Sequence, residues 1–587
     1  MGKHHLSRML WHLDHIFVSC RPHRHRMGLC RYHFENHLLI LGGSRRVANL
    51  LGAVANRPEL AARSIVILTN QPVEQFRNRL QSALPPEARR LSVTYYFGER
   101  TNEAELRSCY VETASHLFII GEDDESEHDA LNVACWKLIR ALRANSPQVA
   151  QCYLSLLHNA TTNLFHMLPQ EAHTSVETTI INHYESIAQQ LLSGDSPYSA
   201  PYTLDRGIIT ADSDRYVHLV VVGMTPMGCA FATTAAHLCH YPNFNPESPH
   251  PLRTRITLID PSAYLRTNQF KTAYPHIFTL SHSRYVTDAN SWLQERPDSR
   301  FGDFLDIEWE FIKGSVEEDW VRVLLASYAD DPKQVLTVAF CGSSPERNFA
   351  HAIHLPPQYY AVPDDEDVEP SAACRALPHP LVYVYQPTTG ALLETVGTEV
   401  LRFRNLLPFG ESVGSYDPLL TKPIAVAKRI NYLYQREKSG KEFTSMPAAG
   451  ALLDDLWQQL SYAEKMSHIH AANALPAHFR SLGIALPLSP QPFGDPDWVE
   501  TLSRMEHARR NIEKLLAGFS PMPAAERDQL DAALLSDDPA CRQEARIILN
   551  RNTNQRFIFK DIAPYARLTA SAREDIRAIV RNLPLAV

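Results

Sequence analysis

No stretch of the 587 residues holds the unbroken apolar run, ~20 residues long, that a bilayer-spanning helix needs. Direct insertion in a membrane is therefore not expected, and any membrane connection would run through a partner protein. The start, MGKHHLSRMLWHLDHIF, is basic but soon interrupted by His and Asp, and does not read as a signal peptide. Basic charge is not in surplus. The 57 Lys and Arg stand against 65 Asp and Glu, a net charge of −8, which argues against a nucleic-acid partner. No CxxC pair occurs among the ten cysteines, a usage that suits reduced thiols in a cytoplasm. The sequence also lacks a nucleophile elbow, an HExxH pair and a Walker A loop, and GKEF at 440–443 has no upstream glycine of that kind. No catalytic residues are assigned and no enzyme activity is expected.

What is present is an ordinary globular composition, 44% hydrophobic and 21% charged, long enough for about three or four domains. Residues 1–37 hold eight histidines. Cys20, His23, His25, Cys30, His33 and His37 have spacings a metal could use, but there is no CxxC and no ββα pattern, so no metal is assigned. The plainer reading is a basic arm packed on the first domain.

Residues 38–198 read as a Rossmann-like domain. Leu38–Leu41 are continuously apolar, as in a parallel strand covered on both faces. Gly42 and Gly43 then turn the chain into a helix whose N-terminus favours an anion. The fingerprint G-x-G-x-x-G is incomplete, with Ser44 at its second glycine and Val47 at its third. Arg45 and Arg46 are candidate phosphate contacts. Asn70 follows the second strand where a ribose-binding acid belongs. This copy is either a modified nucleotide site or an empty one.

Residues 214–418 read as a second copy. Gly223-Met224-Thr225-Pro226-Met227-Gly228 keeps the first and third glycines, and the Thr225 hydroxyl could donate to a phosphate. Asp260 ends the next strand, where a ribose carboxylate belongs. It lies 37 residues after Gly223, against about 20 in the usual motif. A Pro- and Asn-rich surface loop, HYPNFNPESPHPLRT, accounts for the excess. Alternatively Asp260 caps the following helix.

The stretch FGERTNEAELRSCYVETASHLFII resembles the regulator-of-potassium-conductance and potassium-transport NAD-binding family, in which a strand ends in Gly-Asp and a helix Leu and an Ala follow. Here those places are held by Gly98-Glu99, Leu106 and Ala114, with Gly314-Ser315 in the second copy and the acidic turn Glu122-Asp123-Asp124 after the fourth strand. The tandem arrangement, over about residues 38–410, also resembles the cytosolic part of CASTOR- and POLLUX-type channels. The resemblance implies NAD or another adenine nucleotide as ligand, held at the glycine turns, Asn70, Gly98, Glu99, Asp260, Gly314 and Ser315. It further implies a membrane channel or transporter subunit as partner, assembly as a homo-oligomer, and a cytoplasmic location, peripheral to the membrane through that partner.

Residues 424–587 read as helical. Asp495 can cap a helix with an apolar stripe at Leu502, Met505, Ile512, Leu515 and Leu516, stopped at Gly518. Trp457, Leu460, Ser467, Leu482-Gly483, Glu506-His507-Ala508-Arg509, Pro564-Tyr565 and Leu568 resemble the ryanodine-receptor-type domain, with Arg510 and His468-Ile469 departing from its pattern. That resemblance implies a ligand pocket at Ser467, Glu506, His507 and Arg509. The plainer reading of the charged residues is an ion-pair network. The expected fold is thus α/β: two tandem Rossmann-like doubly wound parallel sheets followed by a mainly helical domain. The expected function is nucleotide sensing that controls a partner. The alternatives are an antiphage-defence sensor of an NAD-derived or cyclic-nucleotide messenger, an NAD(P)-dependent oxidoreductase using Asp260, and a scaffold with empty pockets.

Overall fold

The computed structural model describes residues 27–123, 125–158, 161–162, 165, 175–193, 203–206, 208–360, 380–386, 401–403, 405–410, 421–439, 446–447, 450–484, 488–489 and 491–587. Cys20, His23, His25, Asp124, 440–443 and the domain ends at 194–198 and 411–418 lie outside them. Two compact units emerge. One is built from residues up to Ser186, the other from those between Ile187 and Gly410 and those after Leu420. The second sheet and the helical region therefore form one body.

The first unit is a six-stranded sheet of order β3-β2-β1-β4-β5-β6, parallel throughout. Its strands are β1 Leu38–Leu41, β2 Ile65–Thr69, β3 Val93–Phe97, β4 His116–Ile119, β5 Ala150–Ser155 and β6 Val176–Ile181. Helices α1 Val47–Ala55, α2 Val73–Ala83, α3 Glu103–Ser108 and α4 His128–Leu142 alternate with them. Leu38, Leu39, Ile40 and Leu41 are fully buried, as two covered faces require. Burial of each such side chain contributes roughly 1.5–3 kcal/mol. Ahead of β1, residues 27–37 lie along this unit. Gly28 O accepts the N–H of Phe97 on the outer strand at 3.0 Å, and Arg31 stacks over Tyr96 at 4.3 Å.

The second unit repeats that order. β7 Tyr216–Val222, β8 Thr254–Asp260, β11 Ile307–Lys313, β12 Gln334–Phe340, β13 Leu381–Tyr385 and β14 Leu406–Phe409 are parallel and ordered β11-β8-β7-β12-β13-β14. A hairpin of β9 His282–Asp288 and β10 Ser291–Glu295 extends the sheet beyond β11. Helices α5 Pro226–Leu238, α6 Ala263–Ala273, α7 Asp319–Asp330 and α8 Pro345–Ile353 belong to this half.

The helical part comprises α9 Thr421–Lys438, α10 Gly450–Gln458, α11 Tyr462–Ser481, α12 Pro496–Leu516, α13 Ala524–Leu534, α14 Pro539–Gln555 and α15 Ala570–Asn582. Asp495 caps α12 by accepting the Asp497 N–H at 2.9 Å, and the stripe Leu502, Met505, Ile512, Leu515 and Leu516 is buried. Gly518 ends that helix at φ 89°. Between Leu456 and Leu482 the chain forms two helices, because Ser461 and Glu464 form a capping box that starts α11. Helices α13 and α14 form an excursion closed by the short parallel pair β15 Ser520–Pro521 and β16 Ile558–Phe559. Both α11 and α12 pack on α5.

Candidate functional site

In a sheet of this order, ligands bind at the carboxyl ends of the strands, where the winding direction reverses. That point falls between β1 and β4 in the first unit and between β7 and β12 in the second. Both are built on a close approach of two glycines. Gly42 (φ 116°) leaves β1 so near Gly121 that a Cβ would collide with the Gly121 backbone. Gly223 (φ 99°) leaves β7, and a Cβ there would stand 2.9 Å from the Gly342 nitrogen. No side chain fits at either position. The match continues one layer deeper. Asn132 Nδ2 of α4 donates to Ser155 O at 2.9 Å, and Asn348 Nδ2 of α8 donates to Tyr385 O at 3.1 Å, each tying the helix after the turn to the end of the next strand. The two asparagines were not anticipated; aligning the copies on Gly121 and Gly342 would have brought them out. Gly98 N donates to Thr69 O at 3.0 Å and Gly314 N to Asp260 O at 3.3 Å, so these two glycines hold equivalent places. Glu99 is exposed, and the Ser315 N–H turns back to Glu318 Oε1 at 2.9 Å.

The clefts differ in what fills them. In the second unit, Asp260 is buried at the end of β8, accepting the Met224 N–H at 2.9 Å and the Ser262 N–H at 2.7 Å. Its carboxylate lies against the glycine turn and also steadies the entry to α6, the second of the two roles expected of it. Each oxygen keeps a lone pair for a further donor. Thr225 caps α5: its Oγ1 accepts the Gly228 N–H at 3.3 Å and donates to Cys341 O. The one hydroxyl hydrogen is thereby engaged. In this structure that hydrogen goes to Cys341 O and not to the phosphate expected of it. Pro226 at N1 has no N–H to offer, and the Met227 side chain is buried. Among the described residues no carboxylate other than Asp260 is bonded to residues 223–229.

In the first unit the equivalent positions carry acids from the turn after β4. Asp123 accepts the Ser44 hydroxyl at 2.8 Å and the Arg45 N–H at 2.9 Å, at the entry to α1. Glu122 accepts the Thr69 hydroxyl at 2.9 Å and the Asn70 N–H at 3.2 Å, at the end of β2. Arg100, buried beneath, holds Glu125 with two bonds of 2.8 and 2.6 Å, and Glu125 in turn accepts the Glu122 N–H at 3.2 Å. Gly43, Ser44 and Arg46 are buried, and Arg45 is exposed. The acidic turn was legible in the sequence; its place inside the cleft was not.

The residues singled out on α12 are brought together. Arg509, 1% exposed, bonds both oxygens of Glu506 at 2.8 and 2.7 Å and Glu513 Oε2 at 2.6 Å. Burial alone would push the Glu513 carboxyl up; the Arg509 guanidinium overrides it and holds it well below the usual range. Burial also pushes His507 down to about 4, so the neutral ring uses Nε2 to bond Ala563 O at 2.8 Å. Ser467 is half-buried on α11, which packs against α12. The geometry here is that of an ion-pair network, with three of the guanidinium N–H groups committed to carboxylates.

No family model and no curated protein matches the chain. Among solved structures it is similar to GsuK bound to ADP, at 13% identity over 69% of this chain and 75% of that one, with a TM-score of 0.32. It is also similar to the GsuK RCK domain, at 10% identity over 66% and 78%, TM-score 0.31. The human SLO3 gating ring is similar at 11% identity over 65% and 81%, TM-score 0.35.

Proposed function

We propose that this chain is a regulatory nucleotide sensor without catalytic activity, and that its second unit binds an adenine nucleotide or dinucleotide. The observation that carries this reading is the Asp260 carboxylate held against the Gly223–Gly228 turn at the N-terminus of α5. The turn and helix end offer backbone N–H groups to phosphate, and the carboxylate offers an acceptor to a ribose hydroxyl. The output follows from α5 itself. Its 13 residues span about 20 Å at 1.5 Å per residue, from the glycine turn to the layer of α11 and α12. A ligand that prefers one setting of α5 shifts the helical layer with it. The regulated partner in this reading is a potassium channel or transporter subunit, acted on by a homo-oligomer, as the sequence resemblance implies.

The test is a thermal-shift panel with NAD, NADH, ATP, ADP and ADP-ribose. A ligand at 100 times its Kd stabilises by about 2.7 kcal/mol. Asp260→Ala is expected to weaken binding at least about tenfold in calorimetry, through loss of the ribose acceptor. Equal affinity in a folded Asp260→Ala protein would remove the assignment, and hydride transfer to a carbonyl substrate would replace it with an oxidoreductase.

A further inference from the structure

The first cleft has a glycine turn leading into a helix N-terminus, and its own chain sits in it. Asp123 stands at the entry to α1, bonded to the Arg45 N–H and the Ser44 hydroxyl at 2.9 and 2.8 Å, where a phosphate would lie. Glu122 takes the Thr69 hydroxyl and the Asn70 N–H at the end of β2, where a ribose would be read. It also holds the Gln71 side-chain amide, which in turn donates to Gly43 O at 3.0 Å. These bonds link residues 51–53 and 78–79 positions apart in the chain.

The second cleft has Ser343-Ser344 in place of Glu122-Asp123. Ser344 caps α8 by accepting the Arg347 N–H at 3.2 Å. The turn is shorter there: Asn348 follows Gly342 by six positions, whereas Asn132 follows Gly121 by eleven. The extra length in the first unit carries Glu125, which Arg100 fixes.

We propose that Glu122 and Asp123 are an internal occupant of the first cleft, closing it to nucleotides and other anions, so that the chain takes one nucleotide, in the second unit. An incoming phosphate would meet two carboxylates and find the donors it needs already engaged. The exclusion is electrostatic and steric at once, and needs no movement of the fold. The count of one rests on the proposed function; the closure of the first cleft does not.

The experiment uses the full chain with ADP and pyrophosphate as probes, in calorimetry, with 8-azido-ADP crosslinking to locate the bound nucleotide. The parent is expected to bind one equivalent of ADP, with crosslinks confined to peptides after residue 186, and Asp260→Ala to lose at least tenfold in affinity. Glu122→Ser with Asp123→Ser, which installs the residues of the second unit, is expected to gain pyrophosphate binding in the first unit, with crosslinks appearing in residues 38–186. Should that double variant not fold, the crosslink map of the parent decides alone. Two equivalents on the parent, or parent crosslinks in residues 38–186, overturn the proposal. A folded double variant that gains no pyrophosphate binding also overturns it. A parent that binds no nucleotide at all, with pyrophosphate binding gained in the double variant, defeats the proposed function and leaves the closure of the first cleft standing.

Discussion

His237, in the last turn of α5, stacks on His470 of α11 with ring centroids 4.1 Å apart and 26° between the planes. The helix that opens at the glycine turn thus ends ring to ring against the helical layer. His237→Ala should cost about 1–3 kcal/mol in a urea titration. It should also shrink the nucleotide-dependent hydrogen-exchange protection of α11. Protection of α11 that is unchanged in a folded His237→Ala protein would exclude α5 as the connection.

Arg509→Met takes the shared guanidinium from two buried carboxylates, Glu506 and Glu513, leaving Glu513 only the Lys514 ammonium at 3.5 Å. Breaking a buried pair from one side typically costs about 3–5 kcal/mol. The expected result is a large fall in the denaturation midpoint, with nucleotide affinity retained once folding is restored by lower temperature. A variant of parental stability that had lost only ligand-induced stabilisation would instead mark Arg509 as a ligand contact.

Five histidines make the fold sensitive to acid. Burial pushes His37, His116 and His507 down to about 4 and His218 and His468 to about 3. The unfolded chain protonates them near pH ~6.5, before the folded chain does, so proton uptake favours unfolding. Stability from these groups is intact above that pH and falls on acidification towards pH 4. Melting temperatures across that range check the sign; a midpoint that rises on acidification would contradict it.

Arg143 is 1% exposed and donates to the carbonyls of Val111, Glu112, Ala114 and Gln148 at 2.6, 2.8, 3.0 and 2.9 Å. Arg143→Met fills the space but deserts those carbonyls. The expected loss is about 2–4 kcal/mol, each unsatisfied acceptor carrying its own desolvation penalty. Far-ultraviolet circular dichroism in urea measures it, and a loss within ~0.5 kcal/mol would mean that water replaces the arginine.

The sheets were legible where burial writes a continuous apolar run. Leu38–Leu41 and Leu219–Val222 are of this kind, and the glycines that end them announced the turns. The hairpin of β9 and β10 escaped notice because every residue of β10 is exposed, Trp292 and Leu293 among them, so no burial pattern marks it. The start of α11 is written in the capping-box pair Ser461 and Glu464, with apolar residues on both sides of it. Asp260 could be placed from its strand alone. The seating of Asp123 could not, since its partner Arg45 is 78 positions away and nothing in either residue's neighbourhood fixes the pairing.

The excursion of α13 and α14 leaves and rejoins the helical layer where the Ser520 N–H bonds Phe557 O at 2.7 Å. Its small core, with Met522, Leu530 and Ala545 buried, is its own. The exposed Leu535 at its tip lies between the two helices, in a connection of four residues. That tip is a port: a fluorophore or an inserted domain placed there would ride on a self-contained lobe, reporting on the helical layer from outside without interrupting any strand of either sheet.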